Sequence, residues 1–317
     1  MRYALMTEPQ QGLSYEEIGD AARTAEEAGI EAFFRSDHYA SFPGGSGKPT
    51  TDAWTTLAGL ARETERIRLG TLVSPVTFRI PGSLAKVIQT VDEMSGGRVE
   101  AGFGAGWNDE EHAQLGIPFP PIGTRYEMLT EELAIIHGLW TEPDGWGFDG
   151  RHWQVRDATR HGEIRRGSRR HPHVILGGRG KRRMAELIAR YADEFNLSPA
   201  VVDEAADAYE RVREACRAIG RDPETVVRSA MVGVLVAETE QELRDRVRQL
   251  LESFGESEES GEAWIRQRRS RWLMGTPDEA LERARAFERQ GTQRIMLQDF
   301  APRDLDMVRL IGRTFRP

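Results

Sequence analysis

Ile67-Arg68-Leu69-Gly70-Thr71-Leu72-Val73 runs directly into Ser74-Pro75-Val76-Thr77-Phe78-Arg79, an apolar β-prone stretch that breaks into a polar turn. Three further stretches repeat the design. Ala32–Phe34 breaks into Arg35-Ser36-Asp37-His38, Val99–Phe103 into Gly104-Ala105-Gly106-Trp107-Asn108, and Val174–Leu176 into Gly177-Gly178-Arg179-Gly180. A helix-like stretch follows or closely trails most of them. The strands of a closed parallel barrel aim their carboxyl ends at one rim, so residues just past these four runs share a face suited to chemistry.

On either side the same rhythm continues. Arg2–Met6 predicts a first strand, Ser14 and Glu17 a capping box, and Ile18, Ala21, Ala22, Ala25 and Ala28 the inner face of a helix that Gly29 ends. Strand Glu31–Phe34 pairs with helix Asp52–Glu63, strand Ile67–Val73 with helix Pro81–Met94, and strand Arg98–Phe103 with helix Arg125–Trp140. Thr141–Pro172, holding Trp146, Phe148, Trp153 and many Arg and His residues, reads as an irregular excursion. Strand His173–Leu176 then leads to helix Arg179–Tyr191, strand Glu194–Leu197 to helix Val201–Ile219, and strand Val226–Val236 to helix Glu240–Phe254. Glu256–Glu262 reads as an acidic mobile loop and Gln267–Trp272 as a solvated basic helix face. A helix from Thr276-Pro277 to Gln290, strand Arg294–Asp299 and helix Asp304–Thr314 complete the pattern.

Roughly eight strands alternating with helices predict an α/β fold, a closed TIM (β/α)8 barrel. It is read as one domain over 1–317, with insertions at about 141–172 and 254–275. An open doubly wound sheet is the other arrangement of such a pattern. It would place Gly-x-Gly-x-x-Gly after the first strand. Here Gly102-x-Gly104-x-Gly106 comes after the fourth, at different spacing.

Composition narrows the function. A net charge of −8 argues against a general nucleic-acid or membrane-surface binder. No run approaches the roughly 20 apolar residues that cross a bilayer, and the first residues enter a strand without a secretory layout. Cys216 is the only cysteine, so no intrachain disulfide forms and a reducing cytoplasm is the expected setting. No zinc-ligand spacing stands out, and no metal is expected. His161, His171 and His173 are scattered through an Arg-rich stretch, while His137 and Met128 read as core. No Gly-x-Ser-x-Gly elbow or His-Glu-x-x-His helix points to a hydrolase.

The strand exits carry the candidates. An imidazole suits proton transfer near neutrality, so His38 can donate to a reacting oxygen or a heterocycle, with Asp37 fixing its tautomer or holding a ligand N–H. Ser74-Pro75 either just ends a strand or bends the backbone to support a flat ring. Gly104, Ala105 and Gly106 let the main chain approach a ligand, Trp107 offers an apolar wall, and Asn108 and Glu111 offer polar contacts. Gly177-Gly178-Arg179-Gly180 opens a helix, where free N–H groups and Arg179, Lys181, Arg182 and Arg183 suit an anion. Glu8 and Phe78, each just past a strand, are placed to face a substrate.

Together these stretches resemble the bacterial luciferase-like monooxygenase superfamily, in its branch that uses the deazaflavin coenzyme F420. The resemblance rests on Leu5-Met6-Thr7-Glu8-Pro9-Gln10, Phe34-Arg35-Ser36-Asp37-His38-Tyr39, Leu69-Gly70-Thr71-Leu72-Val73 and Gly104-Ala105-Gly106-Trp107. Ile175-Leu176-Gly177-Gly178, Tyr191-Ala192-Asp193 and Ile295-Met296-Leu297-Gln298-Asp299-Phe300 extend it over nearly the whole chain.

The resemblance implies a TIM barrel with a flavin or deazaflavin lying across the strand ends. Asp37 and His38 would border the ring, and Leu72-Val73 would occupy the place of a non-proline cis peptide behind it. Ser74, Ala105, Gly106 and Asn108 would line the cofactor, Leu176, Gly177 and Gly178 would hold its phosphate end, and the basic residues from Arg179 would meet the acidic tail of F420. In the sugar-phosphate dehydrogenases of this branch a glutamate acts as acid/base where this chain has Trp107, so an apolar or aromatic substrate is expected instead. The resemblance thus implies a cytoplasmic F420-dependent oxidoreductase with His38 as the catalytic residue, acting on a small molecule. The alternatives are an FMN-dependent monooxygenase and a non-catalytic flavin-carrying barrel. A homodimer is common among relatives.

Overall fold

The computed structural model describes residues 1–42, 47–159, 171–256 and 261–316. His161 and most of the expected acidic loop lie outside them. The first unit forms as its sequence dictates. The Ser14 hydroxyl accepts from the Glu17 N–H and the Glu17 carboxylate accepts from the Ser14 N–H, opening α1 (Tyr15–Glu27) with a capping box after β1 (Arg2–Thr7). Next come β2 (Ala32–Arg35), α2 (Ala53–Glu63), β3 (Arg68–Thr71), the two-residue β4 (Ser74–Pro75), α3 (Pro81–Met94) and β5 (Val99–Gly104). Then α4 (Asp109–Leu115), α5 (Ile122–Thr141), β6 (Trp146–Asp149), β7 (Gln154–Ala158), β8 (His173–Gly178) and α6 (Arg182–Tyr191) follow. The rest is β9 (Glu194–Leu197), α7 (Val202–Ala218), β10 (Val227–Val236), α8 (Glu240–Phe254), α9 (Gly261–Arg268), β11 (Leu273–Gly275), α10 (Pro277–Arg289), β12 (Arg294–Asp299) and α11 (Leu305–Thr314).

Eight strands close into a parallel barrel in the order β1-β2-β3-β5-β8-β9-β10-β12, with β12 pairing back onto β1. This is the TIM barrel that the alternation predicts. Period-two alternation sorts the side chains. Val99, Ala101, Phe103, Val174, Leu176, Phe195, Leu197, Ile295 and Leu297 belong to the large core between sheet and helices. Their neighbours face inward in layers. Arg294, Glu100, His173 and Glu194 form the bottom one, and Ala4, Phe34, Ile175 and Met296 fill the middle. Gln298, Asn196, Gly104 and Gly177 reach the upper rim.

The bottom layer is ionic. Arg294 is wholly buried, its Nη1 2.6 Å from Glu100 and 3.0 Å from Glu194, and its Nε 2.5 Å from Glu31. Arg68 also pairs with Glu100, and His173 Nε2 lies 3.0 Å from Glu194. Burial alone would push both glutamates up, but Arg294 and His173, joined at Glu100 by Arg68, hold both below the ordinary carboxylate range. Glu100, His173 and Glu194 bring potential metal-ligating atoms within 4.8 Å of one another. The guanidinium already set against both carboxylates supplies the cation there.

Several segments depart from the sequence reading. Strand Ile67–Val73 is confined to Arg68–Thr71; the Leu72-Val73 bond is cis, and the chain resumes pairing at Ser74. The excursion Thr141–Pro172 contains the antiparallel hairpin of β6 and β7. The helix expected from Arg125 begins at Ile122, and the one expected from Arg179 begins at Arg182. Gln267–Trp272 is only partly a solvated helix face: Arg268 lies 4.1 Å over the Trp264 ring and Trp272 stacks on Phe300. Among the described residues no helix is long and apolar enough to cross a membrane.

Two buried carboxyls outside the ionic layer set a pH dependence. Both oxygens of Glu132 and one of Asp299 have no hydrogen-bond partner among the described residues. Burial pushes Glu132 up to about 8 against Arg79, and pushes Asp299 up to about 7 against the Ala301 N–H. Unfolded, both titrate near 4. Between about pH 4 and 8 the folded chain therefore holds protons that the unfolded chain has released, so their contribution is fully present below about 4 and lost as pH rises. Melting temperature is expected to fall from pH 5.5 to pH 8. The double variant Glu132→Gln/Asp299→Asn should flatten that slope and melt a few degrees higher at pH 8. Parallel melting curves across this range would remove these two groups as its origin.

Candidate functional site

A cleft of about 630 Å³ opens at the carboxyl ends of the strands, the size of a site for a cofactor-sized molecule. Its floor is apolar, made by Met6, Leu72, Val73 and Met231. The cis Leu72-Val73 peptide carries Val73 into space that three glycines leave open. A Cβ on Gly104 would lie 2.6 Å from Val73 Cγ2, and one on Gly177 3.0 Å from Val73 Cγ1. One on Gly102 would meet the Thr71 carbonyl at 2.2 Å. The sequence suggests that Gly104 admits a ligand. In the fold, the place of its missing side chain is taken by Val73. Gly106 lines the cleft with φ +75°, a conformation that favours glycine.

On one wall stands His38. Its Nδ1 lies 2.9 Å and 3.1 Å from the two oxygens of Glu111, whose Oε2 also accepts from the Tyr39 N–H at 2.9 Å. Glu111 is buried and fixed by the main chain. With Nδ1–H given to Glu111, the neutral ring presents Nε2 as a bare nitrogen. Phe42 and Trp107 meet the imidazole edge-on at 4.6 Å and 5.5 Å. Trp107 is 62% exposed, unusual for an indole, and forms the outer lip of the cleft.

Glu8, just past the neighbouring strand β1, also lines the cleft, within a chain of polar contacts. It accepts from Gln298 Nε2 at 2.5 Å and from Gln10 Nε2 at 2.7 Å, while the Ser36 hydroxyl donates to Gln10. At the carboxyl end of β8, Gly177 and Gly178 border the cleft, followed by Arg179 and Lys181. Arg179 is paired with Glu204 at 2.5 Å and Arg182 with Glu186 at 3.0 Å. Arg183 acts electrostatically on Tyr126, a lining residue.

His38, Glu8, Leu72, Val73, Ala105, Gly106, Trp107, Gly177, Gly178 and Arg179 thus come together on one cleft. Other expected site residues stand elsewhere. Asp37 is buried behind the wall, held by Arg79 at 2.5 Å and by the Ser74 hydroxyl at 2.7 Å, and Trp54 Nε1 donates to that hydroxyl in turn. Asp37 and Ser74 therefore brace the strand exits rather than face the cleft. Phe78 stacks on Tyr39 at 4.6 Å. Asn108 stands at the N-cap position of α4 without a side-chain capping bond, and its carbonyl accepts from His112 Nδ1. Leu176 faces the helices, because Ile175 and Gly177 take the inward positions on β8. The sequence reading missed Phe42, Tyr126, Asn196, Met231 and Gln298, all of which line the cleft. The inward alternation of β9, β10 and β12 is the signal that points to the last three.

Fold and site define a TIM barrel with a cleft and a histidine–glutamate pair at the carboxyl-terminal rim of its strands. A sequence profile of luciferase-like monooxygenases matches residues 1–294, and the chain belongs to this family. It is 31% identical over 217 residues to an uncharacterized protein of Mycobacterium tuberculosis, covering 64% of this chain and 74% of the relative. It is 37% identical over 137 residues to the F420-dependent glucose-6-phosphate dehydrogenase of Beutenbergia cavernae, covering 43% of this chain and 40% of that one. Among solved structures, it is similar to a monooxygenase from Streptomyces bottropensis at TM-score 0.80 and 24% identity, over 99% of this chain and 98% of the other. An F420-dependent secondary alcohol dehydrogenase in complex with an F420–acetone adduct gives TM-score 0.80 at 16% identity, over 100% and 99%. At these identities the two structures speak for the fold.

Proposed function

We propose that this chain is an F420-dependent oxidoreductase that moves a hydride between the deazaflavin and a small apolar or aromatic molecule. The observation that carries this reading is the cleft's polarity: an apolar floor around Leu72-Val73 and Met231 at one end, and a glycine turn with basic residues at the other. Such a cleft fits a flat ring with an anionic tail. The sequence relative named for F420 dependence supports the deazaflavin. Lys181 and Arg183 add charge for its acidic tail, since Arg179 and Arg182 already have carboxylate partners.

Leu72, Val73, Ala105 and Gly106 would hold the ring, and Gly177, Gly178 and Lys181 the phosphate end. When bound, F420 supplies a ring carbon that gives or accepts a hydride. The chain's own part is positioning and exclusion of water. In the neutral ring His38 Nε2 can take a proton from the substrate's oxygen or nitrogen, and in the protonated ring it can give one back, while Glu111 fixes the ring and stabilises its charged form. Phe42 and Trp107 shield that contact from solvent and favour an apolar substrate, and no carboxylate stands at Trp107 to serve a sugar.

Titrating the protein with F420 and with FMN, read by quenching of tryptophan fluorescence, tests the proposal. F420 is expected to bind at least about tenfold tighter, a preference of about 1.4 kcal/mol. A preference for FMN would overturn the deazaflavin assignment in favour of a flavin monooxygenase. Binding of neither would overturn the cofactor reading altogether.

A further inference from the structure

We propose that Asn196 reads the cofactor: its side-chain carbonyl accepts a hydrogen bond from a ribityl hydroxyl or a ring N–H of the bound flavin or deazaflavin. Asn196 faces inward from β9, is wholly buried and lines the cleft. Its Nδ2 donates to the Ser229 hydroxyl at 3.0 Å, and that hydroxyl donates onward to the Phe195 carbonyl at 3.2 Å. Oδ1 then has no donor among the described residues. Turning the amide over does not remove the problem. It would draw the Ser229 hydrogen away from Phe195 and leave an unpaired N–H instead.

Buried polar groups are nearly always paired, because desolvation is otherwise uncompensated. Among the described residues, buried oxygens without a hydrogen bond also occur on Glu31, Glu132, Glu194, Asp299 and Thr314, but none of those residues lines the cleft. Asn196 stands opposite Gly177 in the β8–β9 register, and Met231 lies on the neighbouring strand. The orphan oxygen therefore sits between the glycine turn and the apolar floor, where the chain joining a phosphate to its ring must pass. Hydroxyls and a ring N–H are the donors available there in both cofactors.

The inference rests on the cofactor reading above, and the test separates the two. Wild type and Asn196→Leu are titrated with F420, its phosphate-free ribityl fragment and a deazaflavin bearing methyl in place of ribityl, and with FMN, riboflavin and lumiflavin. Ligand-free melting temperatures are measured in parallel. The variant should lose about tenfold or more in affinity for the full cofactor and its phosphate-free fragment. Without ligand it should melt at the same temperature or ~2 °C higher, because an unpaired buried acceptor is gone. A loss that persists with the methyl compound identifies the ring N–H as donor, and a loss confined to the ribityl compounds identifies a hydroxyl. Equal affinities in both proteins, or a lower ligand-free melting temperature accompanying the loss, would overturn the assignment while leaving the cofactor reading intact. A wild type that binds none of the six overturns both. Should Asn196→Leu not fold, Asn196→Ala reads the same two quantities.

Discussion

Arg294→Ala is expected to destabilise the barrel by ~3–5 kcal/mol and to cut soluble yield sharply. Arg294 reaches from β12 to Glu100 on β5, Glu194 on β9 and Glu31 ahead of β2, so one side chain ties four parts of the ring together. Removing it leaves two fully buried glutamates facing each other, with only Arg68 and His173 beside them. Their cheapest response is to take up protons. The variant's deficit should therefore narrow toward pH 5 and widen toward pH 8, as linkage requires for carboxyls whose folded pKa has been raised. Arg294→Lys keeps the charge but loses the forked geometry, and should fall between. Glu100→Gln/Glu194→Gln added to Arg294→Met should recover much of the loss, since a neutral, well-filled layer tolerates burial better than an unpaired charge. Urea unfolding across pH 5–8 measures all four proteins. Denaturation of Arg294→Ala at the wild-type midpoint would show that the layer does not hold the barrel closed.

That layer bears on what a sequence can disclose. The strand framework is legible because each run ends where an apolar period meets glycine or a charge, and the eight runs recur with helices between them. α4 is not legible: five of its seven residues are polar, its two buried members are Glu111 and His112, and Leu115 is exposed, so no apolar stripe marks it. The β6–β7 hairpin is short and half-exposed, which leaves its alternation weak. The site follows the same division. Residues directly after strands reach the cleft because topology alone sends them there. The pairings that give them roles span long stretches of chain, 73 residues from His38 to Glu111 and 42 from Asp37 to Arg79, and no local pattern encodes them. Gly104 and Gly177 illustrate a different limit. A glycine in a strand marks a vacancy without saying who fills it, and here the neighbour is Val73.

His38→Ala should lower kcat/KM by a factor of about 10²–10⁴ toward whichever enone, imine or alcohol the wild type turns over best, the range set by loss of a general acid or base. The side chain is partly buried between Phe42 and Trp107, so some cofactor affinity should go with it. Glu111→Gln separates proton chemistry from packing. The amide keeps the shape and an acceptor for the imidazole N–H, but loses the charge that stabilises a protonated ring. It should therefore reduce kcat by roughly 10-fold while leaving cofactor binding near wild type. Gln at 111 also turns an N–H toward either His38 or the Tyr39 main chain, so its melting temperature should be followed alongside. Should His38→Ala keep wild-type kinetics with an unchanged fold, His38 would be a wall of the cleft and nothing more. The acid/base role would then pass to Glu8, whose carboxylate already lies in the cleft between Gln10 and Gln298.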